Sequence, residues 1–187
     1  MPKFFTTALL GLVAGAFLIT GCSSYKTSQA DTNSSAQITL HREALAAIAR
    51  FKRKDPSIQR FFSNAYGYAI FPSIAKGGLG LGGAYGKGEV YAKDSLVGYT
   101  SLTQGTIGLQ LGGQVYSEII FFKTQVTLNN FKWGNFEFSA QVSAVAATAG
   151  ASANADFEES IAVFTLAKGG LMYEASIGGQ KFSYVAK

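Results

Sequence analysis

Cysteine occurs once in the 187 residues, as Cys22, so no disulfide can form within the chain. Histidine is equally scarce, and with His41 alone a structural zinc site built on Cys and His is excluded. Charged residues make up only 14% of the chain, too few for a disordered polyampholyte, and three prolines are too few for an extended or collagen-like one. The longest apolar run, Ala8 to Ile19, is too short for a comfortable membrane span. No phosphate loop is present, because Gly86-Lys87 lacks both the earlier glycine and the following Ser or Thr. What remains is apolar and aromatic: 48% hydrophobic residues, fifteen Phe and nine Tyr, enough to bury the core of one β-rich domain.

Glycine, by contrast, is abundant, with 22 residues, and densest between Tyr66 and Tyr91 (YGYAIFPSIAKGGLGLGGAYGKGEVY). Leu79 and Leu81 alternate there with Gly78, Gly80 and Gly82 at the period of a strand. Glycine weakens a strand, so a run this dense predicts bends, bulges or close backbone approach. Lys76-Gly77-Gly78-Leu79 recurs as Lys168-Gly169-Gly170-Leu171, and Gly105 to Tyr116 has the same texture. Bends are expected at the Gly-Gly pairs 77/78, 82/83, 112/113, 169/170 and 178/179, and pairing between the two Lys-Gly-Gly-Leu repeats is a further expectation. Gly78-x-Gly80-x-x-Gly83 matches a dinucleotide fingerprint, but that motif must open a helix, and here it runs into Gly86-Lys87-Gly88.

Several of these motifs in order carry a resemblance. Tyr66-Gly67-Tyr68-Ala69-Ile70-Phe71-Pro72, Lys76-Gly77-Gly78, Gly82 to Gly88, Gly108-Leu109-Gln110-Leu111-Gly112, Phe136 to Gly150 and Lys168-Gly169-Gly170-Leu171 together resemble the SYLF domain, over roughly residues 40 to 184. The resemblance implies a lipid-binding domain. Eukaryotic relatives bind phosphoinositides, some bind actin, and bacterial members are commonly lipoproteins.

The amino terminus agrees with the last point. Lys3, the apolar run and Leu18-Ile19-Thr20-Gly21-Cys22 read as a lipoprotein signal peptide over residues 1–21, with Cys22 receiving the acyl anchor. The absence of Asp after Cys22 points to the outer membrane. Residues 22–38, rich in Ser, Thr, Asn and Gln, read as a flexible tether, and residues 39–187 as the domain.

The expected fold class is α+β, with a basic helical hairpin over 39–64 followed by a bent, Gly-rich antiparallel sheet or partly closed barrel. Thr39 caps a helix to about Lys54 with Leu40, Ala44, Leu45, Ile48 and Phe51 on one face, and Asp55-Pro56 stops it and starts a second. Strands are predicted at 96–102, 106–122, 135–144, 161–166, 170–176 and 181–185. A short helix at 124–132 directs Val126, Leu128, Phe131 and Trp133 to the core. The stretch 144–155, nearly all small residues, fits either a strand or a helix, and Asp156 to Glu159 reads as a solvated acidic turn.

Charge is concentrated in the hairpin. Arg42, Arg50, Lys52, Arg53, Lys54 and Arg60 face only Glu43 and Asp55 there, an excess that accounts for the whole net positive charge of the chain after Cys22. An anionic partner suits such a patch, and phospholipid is the expected one; nucleic acid is not expected outside the cytoplasm. Lys76 and Lys87, flanking the glycine run, are second-rank lipid-binding candidates. No catalytic residue, cofactor or metal is expected. His41 is expected to face solvent, as are Glu89, Glu118, Glu137 and Glu174 by strand alternation. The leading function is therefore a non-enzymatic, lipid-anchored envelope protein that binds anionic phospholipid or an envelope partner. The alternatives are an integral outer-membrane β-barrel, suggested by the Gly- and Tyr-rich strands, and a carboxylate-dependent envelope enzyme.

Overall fold

A computed structural model describes residues 25–134, 136, 144–170 and 179–187, with backbone alone at 25–32, 79–81, 106–111 and 169–170. The signal peptide, Cys22, Glu137, Glu174 and most of the strands expected at 135–144 and 170–176 lie outside the described residues. Helix α1 (Tyr25–Lys54) is followed by a 3-10 turn (Pro56–Ile58) and α2 (Gln59–Asn64). Two long strands, β1 (Gly67–Ala92) and β2 (Ser95–Phe122), precede α3 (Gln125–Lys132). The chain continues through β3 (Ala144–Ala146), a 3-10 turn (Ala151–Ala153), β4 (Ile161–Gly170) and β5 (Gln180–Ala186). This is an α+β fold.

Helix α1 starts at Tyr25, well before Thr39, so the polar segment expected to be a tether continues the helix. Its residues are exposed from Asn33 to Thr39; none is a helix breaker, and once Ala44, Ala47 and Phe51 dock on the sheet, propagation backwards costs little. Leu45, expected on the buried face, is half exposed. Asp55 does cap the next turn, accepting from the Ser57 amide at 3.2 Å with Pro56 behind it. The same carboxylate accepts from the Ser152 amide at 2.7 Å and the Gly150 amide at 3.3 Å, tying the hairpin to the 3-10 turn after β3. Burial pushes the Asp55 carboxyl up, but hydrogen bonds from Ser57, Ser152 and Gly150 outweigh it and hold the group below its ordinary value.

Strands β1 and β2 form one antiparallel ribbon joined by the two-residue turn Lys93–Asp94, both at positive φ, as a twist-matched hairpin requires. Segments expected as separate strands at 96–102 and 106–122 are thus one strand. The glycine-rich centres meet across the ladder, Gly77 opposite Gly113, Gly78 opposite Gly112 and Gly83 opposite Gly105, with a register shift between Leu79 and Leu81. About that centre the ribbon doubles back. A Cβ on Gly67 would lie 2.3 Å from the Tyr91 carbonyl, and one on Gly88 would lie 2.5 Å from that of Ile70, so the two halves of β1 touch where only glycine fits. Of the expected bends, Gly112 and Gly179 have positive φ, whereas 77/78 and 82/83 remain in the ladder.

The other edge of β2 carries two strands in succession, β5 along Gly98–Gln104 and β4 along Gln114–Phe122. Pairing is antiparallel except between β3 and β4, which run parallel, a departure from the wholly antiparallel sheet expected. The two Lys-Gly-Gly repeats do not pair with each other. They flank one point of β2, where Gln114 faces Lys76 on one side and Gly170 on the other.

Two cores result. On the helical side, Ala44, Phe51, Ile58 and Phe61 pack on Ile70, Ile119, Phe121 and Phe164. Inside the folded ribbon, Phe71, Ile74, Leu102, Tyr116, Ile120 and Phe122 pack with Leu128 and Phe131 of α3. Among the described residues the sheet order β1-β2-β4-β3 is open, with β5 added to β2 beside β4. Both cores lie between Ala44 and Tyr184, so a protein of residues 23–187 retains every described core contact.

Candidate functional site

The six basic residues of the hairpin separate into anchored and free groups. Arg50 is half-buried and donates from Nη2 to Ser117 Oγ at 3.4 Å, and Ser117 donates in turn to the Pro72 carbonyl at 2.8 Å. The Lys52 ammonium lies 4.3 Å from the Phe62 ring centre, and the Arg60 guanidinium lies 4.7 Å from that of Phe61 while donating to the Ser152 carbonyl at 3.2 Å. Arg42, Arg53 and Lys54 are exposed. Lys52, Arg53 and Lys54 form the last turn of α1, where cations favour the negative end of the helix dipole and so strengthen the helix that displays them. Among the described residues the one ion pair is His41–Glu89, and it does not involve this basic end.

The two candidates beside the glycine run part company. Lys87 is exposed and lines, with Tyr85 and Leu40, two grooves, one of about 490 Å³ between α1 and β1 and one of about 470 Å³ that reaches on to β2 and β5. Lys76 is 3% exposed. It occupies the inner side of the ribbon with Ile74, because the ribbon folds over that face, and it is not on the surface where a head group would meet it.

Two glutamates expected in solvent are fully buried, on opposite faces. Glu89 lies beneath α1, where it accepts from the Tyr91 hydroxyl at 2.6 Å and from His41, whose Nδ1 is 3.1 Å from Oε2. His41 is about half exposed (47%), not free in solvent as expected. Burial, followed by the hydrogen bond to Glu89, holds the Tyr91 phenol far above its ordinary value. Glu118 points into the ribbon, where Gln180 Nε2 donates to it at 3.1 Å. Burial pushes its carboxyl up to about 7, against a smaller opposing effect of Gln180. Sitting on opposite faces, Glu89 and Glu118 do not form the paired carboxylates that acid–base hydrolysis needs.

Among the described residues no group of three or more His, Cys, Asp or Glu could hold a metal ion. Asp156, Glu158 and Glu159 are exposed, as the acidic turn predicts. The helix α3, capped by Thr124, buries Leu128 and Phe131 but leaves Val126 and Trp133, expected in the core, outside.

These features define an α+β domain with an exposed basic end. Residues 103–185 match the family described as Ysc84, Las17-binding protein actin regulator. Over 152 residues, 81% of its length, the chain is 28% identical to Beta cell expansion factor A of Aeromonas veronii, of which it spans 58%. Both matches are in line with the resemblance to the SYLF domain read from the sequence motifs.

Proposed function

We propose that this protein is a non-enzymatic, lipid-anchored component of the bacterial outer membrane whose SYLF domain lies on anionic phospholipid through the basic end of α1 and the adjoining α2. The observation that carries this reading is the absence, among the described residues, of any carboxylate paired with Arg42, Arg50, Lys52, Arg53, Lys54 or Arg60. The family description supports a binding role, and the lipobox at Cys22 supplies the anchor. Two acyl chains or more make such attachment effectively permanent, and the basic end then orients the domain.

Each basic residue near an anionic surface contributes about 1 kcal/mol, so four or five give weak, salt-sensitive adsorption. Arg53 and Lys54 are the residues to change, because both are exposed, whereas Lys52 and Arg60 also pack on rings. Residues 23–187 are expected to co-sediment with phosphatidylglycerol vesicles in preference to phosphatidylcholine. The double substitution Arg53→Gln, Lys54→Gln should weaken that binding by at least about tenfold. Equal binding to both lipids, or no loss in the double variant, would refute the proposal.

A further inference from the structure

We propose that the outer side of α3, carrying Val126 and Trp133, is a second membrane contact that seats in the head-group region of an anionic bilayer. This rests on the lipid-binding reading above and adds a place where the protein would enter the bilayer.

The helix is held rigidly. Leu128 and Phe131 are buried, and the Phe131 ring lies 4.9 Å from Phe122, 5.5 Å from Phe136 and 5.0 Å from Phe182. Val126, Asn130 and Trp133 fall at i, i+4 and i+7, on the side away from that core. Trp133, at 70% exposure, and Val126, at 69%, are the two most exposed large apolar side chains described. A core-facing role cannot explain them, because the inward side of the same helix is already filled. Tryptophan joins a large apolar ring to one N–H donor, which suits it to the boundary between acyl chains and water.

Charge identifies the occupant. Between Lys123 and Trp133 there are two lysines and no acidic residue. Lys123 is exposed and precedes the Thr124 cap, and Lys132 closes the last turn. A second copy of this surface would set lysine against lysine, whereas an anionic bilayer offers phosphates to the lysines and an apolar boundary to the tryptophan. The surface is also continuous with the basic hairpin. Arg60 and Lys123 line one depression of about 310 Å³, which Asp156 shares while its carboxylate accepts from the Phe157 amide at 2.8 Å. The rings between them form a bridge: Phe61 lies 5.1 Å from Phe157, over which the Lys123 ammonium sits at 5.6 Å.

Trp133 is the sole tryptophan, so its fluorescence reports this contact alone. On adding phosphatidylglycerol vesicles to residues 23–187, its emission should shift to the blue and be quenched by bromine-labelled acyl chains. Trp133→Ala should bind the same vesicles at least about tenfold more weakly while unfolding normally. Vesicle binding with unchanged Trp133 emission would overturn this inference and leave the hairpin reading standing. Absence of any vesicle binding would overturn both. A blue-shifted emission without vesicles, in a protein that sediments as a dimer, would assign the surface to a second copy and overturn the membrane contact.

Discussion

Around Ile119 to Phe122 both faces of the folded ribbon are buried, yet they are built differently. The helical side is a dense set of rings, with Phe121 near Phe61, Phe62, Tyr68 and Phe164, and its buried carboxylates are satisfied, Glu89 by two donors and Asp55 by the amides of Ser57, Gly150 and Ser152. The inner side mixes rings with polar groups. Gln114, Glu118, Thr165 and Gln180 are all buried there, and one oxygen each of Gln114, Glu118 and Gln180 has no hydrogen-bond partner among the described residues. A buried acceptor without a donor costs roughly 1–3 kcal/mol. The helical side has Arg50 Nε in the same condition, so both sides give back some stability and the inner side, with three such oxygens, gives back more.

That contrast is tested most strongly on the helical side. Phe121→Ala should destabilise residues 23–187 by about 3–5 kcal/mol, since the ring is fully buried and its four aromatic neighbours cannot all close the cavity. Denaturant unfolding measures it. A loss below about 1.5 kcal/mol would mean the two cores do not differ as described.

On the inner side the expected effect has the opposite sign. The Glu118 carboxyl is raised from 4.5 to about 7 in the folded protein, so between those values the folded state holds a proton that the unfolded state has lost. Stability from this group must fall as pH rises through that window and level off above about 7. The full drop is ~3 kcal/mol. Glu118→Gln removes the titration and brings donors to a region with surplus acceptors, so the variant should be more stable than the parent at pH 8, by up to ~3 kcal/mol, and similar at pH 4. Unfolding midpoints at the two pH values decide it. An equal difference at both would show that Glu118 does not titrate between them.

The same residues show what the sequence could and could not reveal. Local chemistry was legible: Asp55-Pro56 starts the turn after α1, a short helix follows β2 where 124–132 predicted it, and the glycine run lies where the ribbon bends. Alternation failed at Glu89 and Glu118 because it assumes one wet face, and the doubled ribbon has none along these stretches. A cue was present in Ile119-Ile120-Phe121-Phe122, an unbroken apolar run that signals burial on both sides. For His41 no local signal exists, since its partner is 48 residues away. The basic hairpin was legible as composition, but the separation of anchored Arg50, Lys52 and Arg60 from free Arg53 and Lys54 depends on which rings and hydroxyls the sheet brings beneath α1.

The smallest expected effect lies at the rim of the helical side. His41 is half exposed, so its ion pair with Glu89 is screened by water and contributes modestly, while Glu89 keeps the shorter bond from Tyr91. Removing the imidazole also opens a path for water to the carboxylate, which limits the cost of the lost donor. His41→Ala should therefore cost about 1 kcal/mol or less, well below Phe121→Ala. Substitution of Tyr91 by Phe takes away the fully buried donor instead and should cost more, about 1–3 kcal/mol. Denaturant midpoints of the two variants give the ranking. If His41→Ala proved the more damaging, the charge of the imidazole, and not the Tyr91 hydroxyl, would be what holds Glu89 beneath the helix.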